Sequence, residues 1–85
     1  MNELESYREQ MSKLDEQLVQ LFLERMQLSK EIGIYKKKNH LPIFQAEREK
    51  LVLEKVTAMT TNSQEKKCIE TLFQMIMNLS KEVQE

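Results

Sequence analysis

Residues 4–35, LESYREQMSKLDEQLVQLFLERMQLSKEIGIY, decide the fold of this protein. Apolar residues, with one arginine among them, recur at spacings of three and four throughout the segment, which is the pattern of one face of a long helix. The stripe consists of Leu4, Tyr7, Met11, Leu14, Leu18, Leu21, Arg25, Leu28, Ile32 and Tyr35. At about 1.5 Å per residue, the helix is on the order of 45 Å long. The segment therefore predicts a long helix that packs against other helices.

Two shorter helices follow in the sequence. The stretch Lys37–Pro42 ends the first helix, because cations suit a helix C-terminus and proline disfavours helix at the preceding residue. A second helix is predicted from near residues 43–45 to about Thr60, and a third from about Gln64 to the C-terminus. Ser63 is the expected N-cap of the third helix. The predicted fold class is all-α, with three helices per chain.

Length and composition limit the chemistry that is available. The 85 residues suffice for one domain, 1–85, and include one Gly, one Pro and one Cys. The scarcity of turn residues argues against β-hairpins, and Gly33 is expected where another segment approaches the first helix closely. A lone Cys68 excludes a disulfide framework within the chain, and with His40 it makes neither a plausible metal site nor a catalytic triad. We therefore predict no metal site.

The helix lengths predict a homodimer. The first helix is about as long as the other two laid end to end, so a single chain would leave much of its apolar stripe uncovered. A chain of this size also buries only ~60–65% of its unfolded surface. Pairing two copies along the first helix would cover the stripe, with two-fold symmetry as the default.

Charge and hydropathy argue against membrane and nucleic-acid partners. Thirteen Lys and Arg balance fourteen Asp and Glu, and only the run Lys36–Lys38 would favour nucleic acid. No apolar run approaches the ~20 residues of a membrane span, and the N-terminal MNELE does not resemble a signal peptide. With a single thiol, these features predict a cytoplasmic protein.

Polar residues occupy positions where the helix periodicity calls for apolar ones. Arg25 lies within the first stripe, and Lys36 projects from nearly the same face three turns later. Singly, Arg25 could form a salt bridge, and Lys36 and Arg8 could be solvated. The other helices carry similar residues: Gln45, Arg48 and Glu49 within one turn of the second, and Ser80 and Gln84 continuing the seam of Phe73 and Met77 on the third. Together they predict a pocket for a small dicarboxylate held by arginines.

Geometry limits how Arg8 can contribute to this pocket. Arg8 and Arg25 are seventeen residues apart, about 25 Å along a straight helix. They cannot both hold one small ligand within a single chain. If both serve one pocket, Arg8 must come from an antiparallel partner.

The sequence resembles the all-α, AroQ-type (type II) chorismate mutase family over nearly its whole length. The matching residues occur in the family's order and at similar intervals, which makes the resemblance more specific than any single motif. They are Tyr7–Asp15, Leu23–Arg25, Glu31–Lys36, Pro42, Glu47–Glu49, Leu72–Ile76, Ser80 and Gln84. The resemblance implies an intertwined homodimer that rearranges chorismate to prephenate in phenylalanine and tyrosine biosynthesis. In a chain of this length we expect no fused dehydratase, dehydrogenase or effector-binding domain.

The resemblance also implies roles for individual residues. Lys36 and Gln84 would flank the ether oxygen as catalytic residues, together with Arg48. Arg25, Arg48 and the partner's Arg8 would bind the substrate carboxylates. Ser80 would support a carboxylate, and Glu49 would accept the ring hydroxyl. Gln45, where family members often carry an acid, is included in the substrate-binding set.

This reaction agrees with the lack of Cys and His chemistry, because a Claisen rearrangement needs no nucleophile, base, metal or cofactor. It needs a folded conformer and stabilisation of charge on the ether oxygen. With glutamine as the donor, activity should be nearly flat from about pH 5 to 8. Two alternatives are a helical scaffolding module, which predicts no pocket, and an enzyme resembling isochorismate pyruvate lyases.

Overall fold

Three α-helices account for most of the chain in the computed structural model, which describes residues 2–85. They are α1 (Glu3–Lys38), α2 (Ala46–Thr57) and α3 (Ser63–Gln84). No strand occurs in this part of the chain, so the predicted all-α class with three helices is confirmed. None of the helices in the described range is long and apolar enough to span a bilayer.

Hydrogen bonds define both ends of α1. The Asn2 side chain accepts from the backbone N–H of Glu5 at 2.8 Å and caps the N-terminus. At the other end, the N–H of Leu41 donates to the carbonyl of Lys36, and the N–H of His40 donates to that of Lys37. This pair of bonds is a Schellman motif, which requires a left-handed residue after the C-cap. His40 fills that position with φ 56°.

The later helix boundaries differ from the predicted ones. Helix α2 begins at Ala46, because Ile43–Gln45 remains non-helical after Pro42, and α2 ends at Thr57 rather than near Thr60. The prediction of Ser63 as the N-cap of α3 is wrong. Asn62 caps this helix by accepting from the N–H of Glu65 at 2.9 Å.

Helix α3 packs against both α1 and α2, whereas α1 and α2 do not pack against each other in the described residues. The residues of α1 that this packing buries are small or polar: Ser29, Gly33 and Lys36. Val56 and Met77 are the only buried hydrophobic side chains in the same range. A single chain therefore has almost no apolar core.

The apolar stripe of α1 is exposed in the single chain. Leu14, Leu18 and Leu21 are 55%, 62% and 63% exposed. The molecule measures 57 × 27 × 15 Å and its radius of gyration is 16.3 Å, compared with about 12 Å for a compact domain of this length. The N-terminal half of α1 thus projects as an arm beyond the rest of the fold.

Candidate functional site

A cleft of about 360 Å³ lies where the three helices and the segment before α2 meet. Its apolar wall consists of Leu28, Ile32, Ile43, Val52 and Met77. Its polar lining consists of Arg25, Ser29, Lys36, Gln45, Arg48, Glu49, Ser80, Lys81 and Gln84. Four cations face one carboxylate, so the cleft has an excess of positive charge and suits a small anion.

Lys36 and Gln84 form a polar pair at one end of the cleft. The Lys36 Nζ donates to Gln84 Oε1 at 2.8 Å and to the carbonyl of Ile43 at 2.8 Å. An ammonium group carries three protons and accepts no hydrogen bond, so the amide oxygen of Gln84 must face it. One N–H of Lys36 and the amide NH₂ of Gln84 therefore remain to donate to a ligand.

Gly33 brings the end of α3 close enough for this pairing. A Cβ built on Gly33 would lie 2.7 Å from the Cα of Gln84 and 3.0 Å from its carbonyl oxygen. These distances are shorter than van der Waals contact, and only glycine permits them without a shift of backbone. The prediction of a close approach at Gly33 is confirmed.

Arg25 and two serines form a second polar cluster. Arg25 Nη1 donates to Ser80 Oγ at 2.8 Å, and Ser29 Oγ donates to the same atom at 3.0 Å. Both serines are buried. The Ser80 hydroxyl thus accepts two hydrogen bonds, which leaves its own proton free to donate into the cleft. Arg25 has no carboxylate partner within residues 2–85, since the ion pair described next is the only salt bridge there.

That ion pair joins α2 and α3 at the other side of the cleft. Lys81 Nζ lies 3.0 Å from Glu49 Oε2 and 4.8 Å above the centre of the Phe44 ring.

Gln45 is the half-buried N-cap residue of α2, and its side chain makes no capping hydrogen bond. It remains available to the cleft that it lines.

Burial and like charge perturb two cations of the cleft. Burial, and secondly the positive charge of Arg48, lower the pKa of the Arg25 guanidinium below its ordinary value. Burial also lowers the pKa of the Lys36 ammonium, although the carboxylate of Glu49 opposes this shift. Burial thus disfavours the charged forms of Arg25 and Lys36, and the neighbouring positive charge adds to this effect at Arg25. A bound anion would stabilise those charged forms.

Residues 7–85 match a family described as chorismate mutase type II. The chain belongs to this family. Similar proteins include two named bifunctional chorismate mutase/prephenate dehydratase. The one from Buchnera aphidicola subsp. Schizaphis graminum is 39% identical over 80 residues, which are 93% of this chain and 21% of that protein. The one from Aquifex aeolicus is 41% identical over 56 residues, 66% of this chain and 16% of that protein.

The chain therefore spans about a fifth of the length of the curated relatives that it matches. A solved structure of similar size also matches, the conserved hypothetical protein from Pyrococcus furiosus. Its TM-score is 0.84 at 28% identity, with 100% of this chain and 99% of that chain covered. The Pyrococcus furiosus protein thus has the same three-helix fold.

Seven of the eight site residues predicted from the sequence line the cleft: Arg25, Lys36, Gln45, Arg48, Glu49, Ser80 and Gln84. Arg8 does not. It is exposed on the projecting arm of α1, seventeen residues before Arg25. Within the described residues, no group of three or more His, Cys, Asp and Glu side chains could hold a metal ion.

Sequence reasoning missed Ser29 and Lys81. Ser29 lies four residues after Arg25 and four before Gly33, so the face of α1 that meets α3 is a polar stripe beside the apolar one. Lys81 has a similar signal, four residues after Met77 and three before Gln84. Its neighbours Ser80 and Glu82 are polar too, so Lys81 does not interrupt an apolar run as Arg25 does.

Proposed function

We propose that this chain is a chorismate mutase, an isomerase that rearranges chorismate to prephenate and acts as a homodimer. The observation that carries the proposal is the Lys36–Gln84 pair at 2.8 Å in a cationic cleft. Membership of the chorismate mutase type II family supports the same activity. The names of the similar bifunctional proteins pair this activity with a prephenate dehydratase, which suggests a place in phenylalanine and tyrosine biosynthesis.

The reaction breaks one C–O bond and forms one C–C bond within a single molecule. Negative charge grows on the ether oxygen as the C–O bond breaks, so donors placed at this atom lower the barrier. The third N–H of Lys36 and the amide of Gln84 supply two such donors. Because Lys36 and Gln84 already hold each other, little reorganisation is needed when the charge develops.

The substrate's two carboxylates would be held by the arginines. Arg25 and Arg48 line the same cleft and repel each other there, and a bound carboxylate relieves that repulsion. The free hydroxyl proton of Ser80 adds a third donor. Fixing both carboxylates favours the folded, chair-like conformer in which the reacting carbons meet. Glu49 would accept the ring hydroxyl, with Gln45 beside it.

The surface of the chain supports a dimer. A folded monomer of this mass exposes about 5,300 Å², whereas this chain exposes 7292 Å². The difference is on the order of 2,000 Å² and suits a large, obligate interface on each subunit. The projecting arm of α1 carries much of the exposed apolar surface, and an unsupported arm of this length would be marginal as a helix.

An intertwined arrangement would also complete the site. The arm carries Arg8 about 25 Å away from Arg25 along α1, so Arg8 can serve a cleft only in another subunit. Pairing the two arms antiparallel would bring each Arg8 towards the cleft of its partner. This would add a cation to each site.

The decisive experiment follows the loss of chorismate absorbance with purified protein and converts the product to phenylpyruvate with acid. We expect turnover that falls by ~10²-fold or more in Lys36→Ala, as for loss of one oxyanion donor. Lys37→Ala, an exposed neighbour, is the matched control and should retain activity. Near-normal turnover in Lys36→Ala would overturn the assignment. Pyruvate release from isochorismate, without prephenate formation, would favour the lyase alternative.

The dimer is tested by light scattering at low micromolar concentration. The wild type should have twice the mass of one chain, and Leu18→Glu should be monomeric or unfolded because it places a charge in the apolar stripe. Thr61→Glu changes charge equally in the α2–α3 turn and should remain dimeric. A monomeric wild type would exclude the proposed assembly.

The free thiol of the exposed Cys68 suits the cytoplasm, which remains the expected compartment.

A further inference from the structure

We propose that Lys81 is a positioning residue that orients the Glu49 carboxylate to receive the hydroxyl of the substrate. This inference rests on the proposed function, because it concerns the ligand of the same cleft. It adds a specificity determinant that the family resemblance does not supply. Lys81 makes no hydrogen bond to the Lys36–Gln84 pair or to the Arg25–Ser80 cluster.

The contacts of Lys81 join three parts of the fold. Lys81 projects from α3, its partner Glu49 belongs to the first turn of α2, and Phe44 lies in the segment that leads into α2. Both side chains of the ion pair are shielded, with 28% of Lys81 and 17% of Glu49 exposed. The Phe44 ring under the ammonium further restricts where the lysine can lie.

The ion pair uses only one of the two carboxylate oxygens of Glu49. Lys81 contacts Oε2, and an ionised carboxylate has a second oxygen with its own acceptor sites. Oε1 can then accept one hydroxyl proton from a ligand in the cleft. Without Lys81, the flexible Glu49 side chain would have to be ordered by the ligand itself, which lowers affinity.

Lys81 also offsets the repulsion between the Glu49 carboxylate and a bound dianion. This effect can be separated by experiment from the orientation of Glu49. Among residues 2–85, Glu49 is the one carboxylate that lines the cleft, which is proposed to bind a dianion. Loss of a compensating charge would weaken every dianion alike and would depend on salt concentration. Loss of orientation would weaken only ligands that carry the hydroxyl. We assign Lys81 chiefly to orientation, since its ammonium is within 3.0 Å of one particular oxygen.

The test compares chorismate with its analogue that lacks the ring hydroxyl, using wild type, Lys81→Met and Lys81→Arg. Methionine retains an unbranched apolar chain like the stem of Lys81, so Lys81→Met should keep the packing of α3 and fold, which circular dichroism checks. We expect kcat/KM for chorismate to fall about 10-fold in Lys81→Met, mainly through KM. For the deoxy analogue the change should be less than about twofold, and Lys81→Arg should restore most of the loss.

Two controls sharpen this test. Lys50→Met removes an exposed lysine next to Glu49 that does not line the cleft, and it should leave both substrates unaffected. In the Glu49→Gln background, adding Lys81→Met should lower kcat/KM for chorismate little further, because the partner through which Lys81 acts is already changed.

An equal loss with both substrates, or no loss with either, would overturn the role of Lys81 while the mutase activity stands. Failure of the wild type to convert chorismate at all would overturn the proposed function, and the role of Lys81 with it. The two failures are therefore distinguishable in one set of assays.

Discussion

Gly33 and Gln84 are in direct backbone contact, so that a Cβ on the glycine would lie 2.7 Å from the Cα of Gln84. This contact fixes how closely the end of α3 approaches α1, one turn before Lys36. Gln84 accepts its hydrogen bond from Lys36 across the same junction. The smallest residue of the chain therefore determines where a donor of the proposed active site lies.

Gly33→Ala should reduce kcat by about 10-fold, because the added methyl displaces the end of α3 and misplaces the Gln84 amide. The fold should survive, since Gln84 is the last residue of α3 and the helix end can shift. Steady-state kinetics and circular dichroism measure the two effects.

The control for Gly33 is a double-mutant cycle with Gln84→Ala. If the glycine acts through the Gln84 amide, Gly33→Ala should lower kcat much less in the Gln84→Ala background than in the wild type. Additive losses in the two backgrounds would show that the methyl group damages the site by another route.

The pH dependence of activity should have an alkaline limb set by Lys36. Burial lowers the pKa of this ammonium. Two N–H groups of Lys36 already donate to Ile43 and Gln84, so only the protonated form has a third N–H for the proposed bond to the ether oxygen. Activity should therefore be full near neutral pH and lost as pH rises through the lowered pKa, before an ordinary lysine titrates at about 10.4. This expectation leaves the nearly flat profile from about pH 5 to 8 in place.

The limb should lie at a higher pH for kcat than for kcat/KM. The free enzyme determines kcat/KM, whereas kcat reports the complex, in which a bound dianion stabilises the Lys36 ammonium. Profiles up to about pH 10.5 measure both. Residual activity of Lys36→Gln should lack the limb, and a limb that persists in this variant would have to belong to another group.

Two inactive variants should complement each other if Arg8 serves the partner's site. A heterodimer of Arg8→Ala and Lys36→Ala chains then has one site with both mutations and one with neither. Random pairing after joint unfolding and refolding should restore about a quarter of wild-type activity, because half of the dimers are mixed and each has one intact site.

The control is each variant refolded alone, which should stay inactive. If Arg8 instead acted on the cleft of its own chain, every site in the mixture would carry one mutation and mixing would restore nothing. Gel filtration of the mixture confirms that dimers have formed.

His40→Gly should stabilise the protein by about 0.5–1 kcal/mol, because His40 has a left-handed conformation that glycine adopts without steric cost. Urea unfolding at one fixed protein concentration measures the change. His40→Ala retains the steric cost and serves as the control, so equal stability of the two variants would contradict this explanation.

The sequence predicted the helices better than their ends. Spacings of three and four fixed α1 over nearly its full length, since a regular apolar pattern persists whatever the helix packs against. The start of α3 was misplaced by one residue because Asn62 and Ser63 are both good N-caps, and only the bond to Glu65 distinguishes them. The start of α2 depended on how the chain leaves Pro42.

The sequence by itself determined that the chain is helical and which polar residues interrupt the apolar faces, and it predicted a partner for the long apolar stripe. The tertiary structure decided that Ser29 and Lys81 face the cleft and which donors of Lys36, Ser80 and Gln84 remain free. The physical reason is that periodicity fixes the direction of a side chain about its own helix axis but not the distance between helices. That distance depends on contacts such as the one at Gly33, which only the packed structure contains.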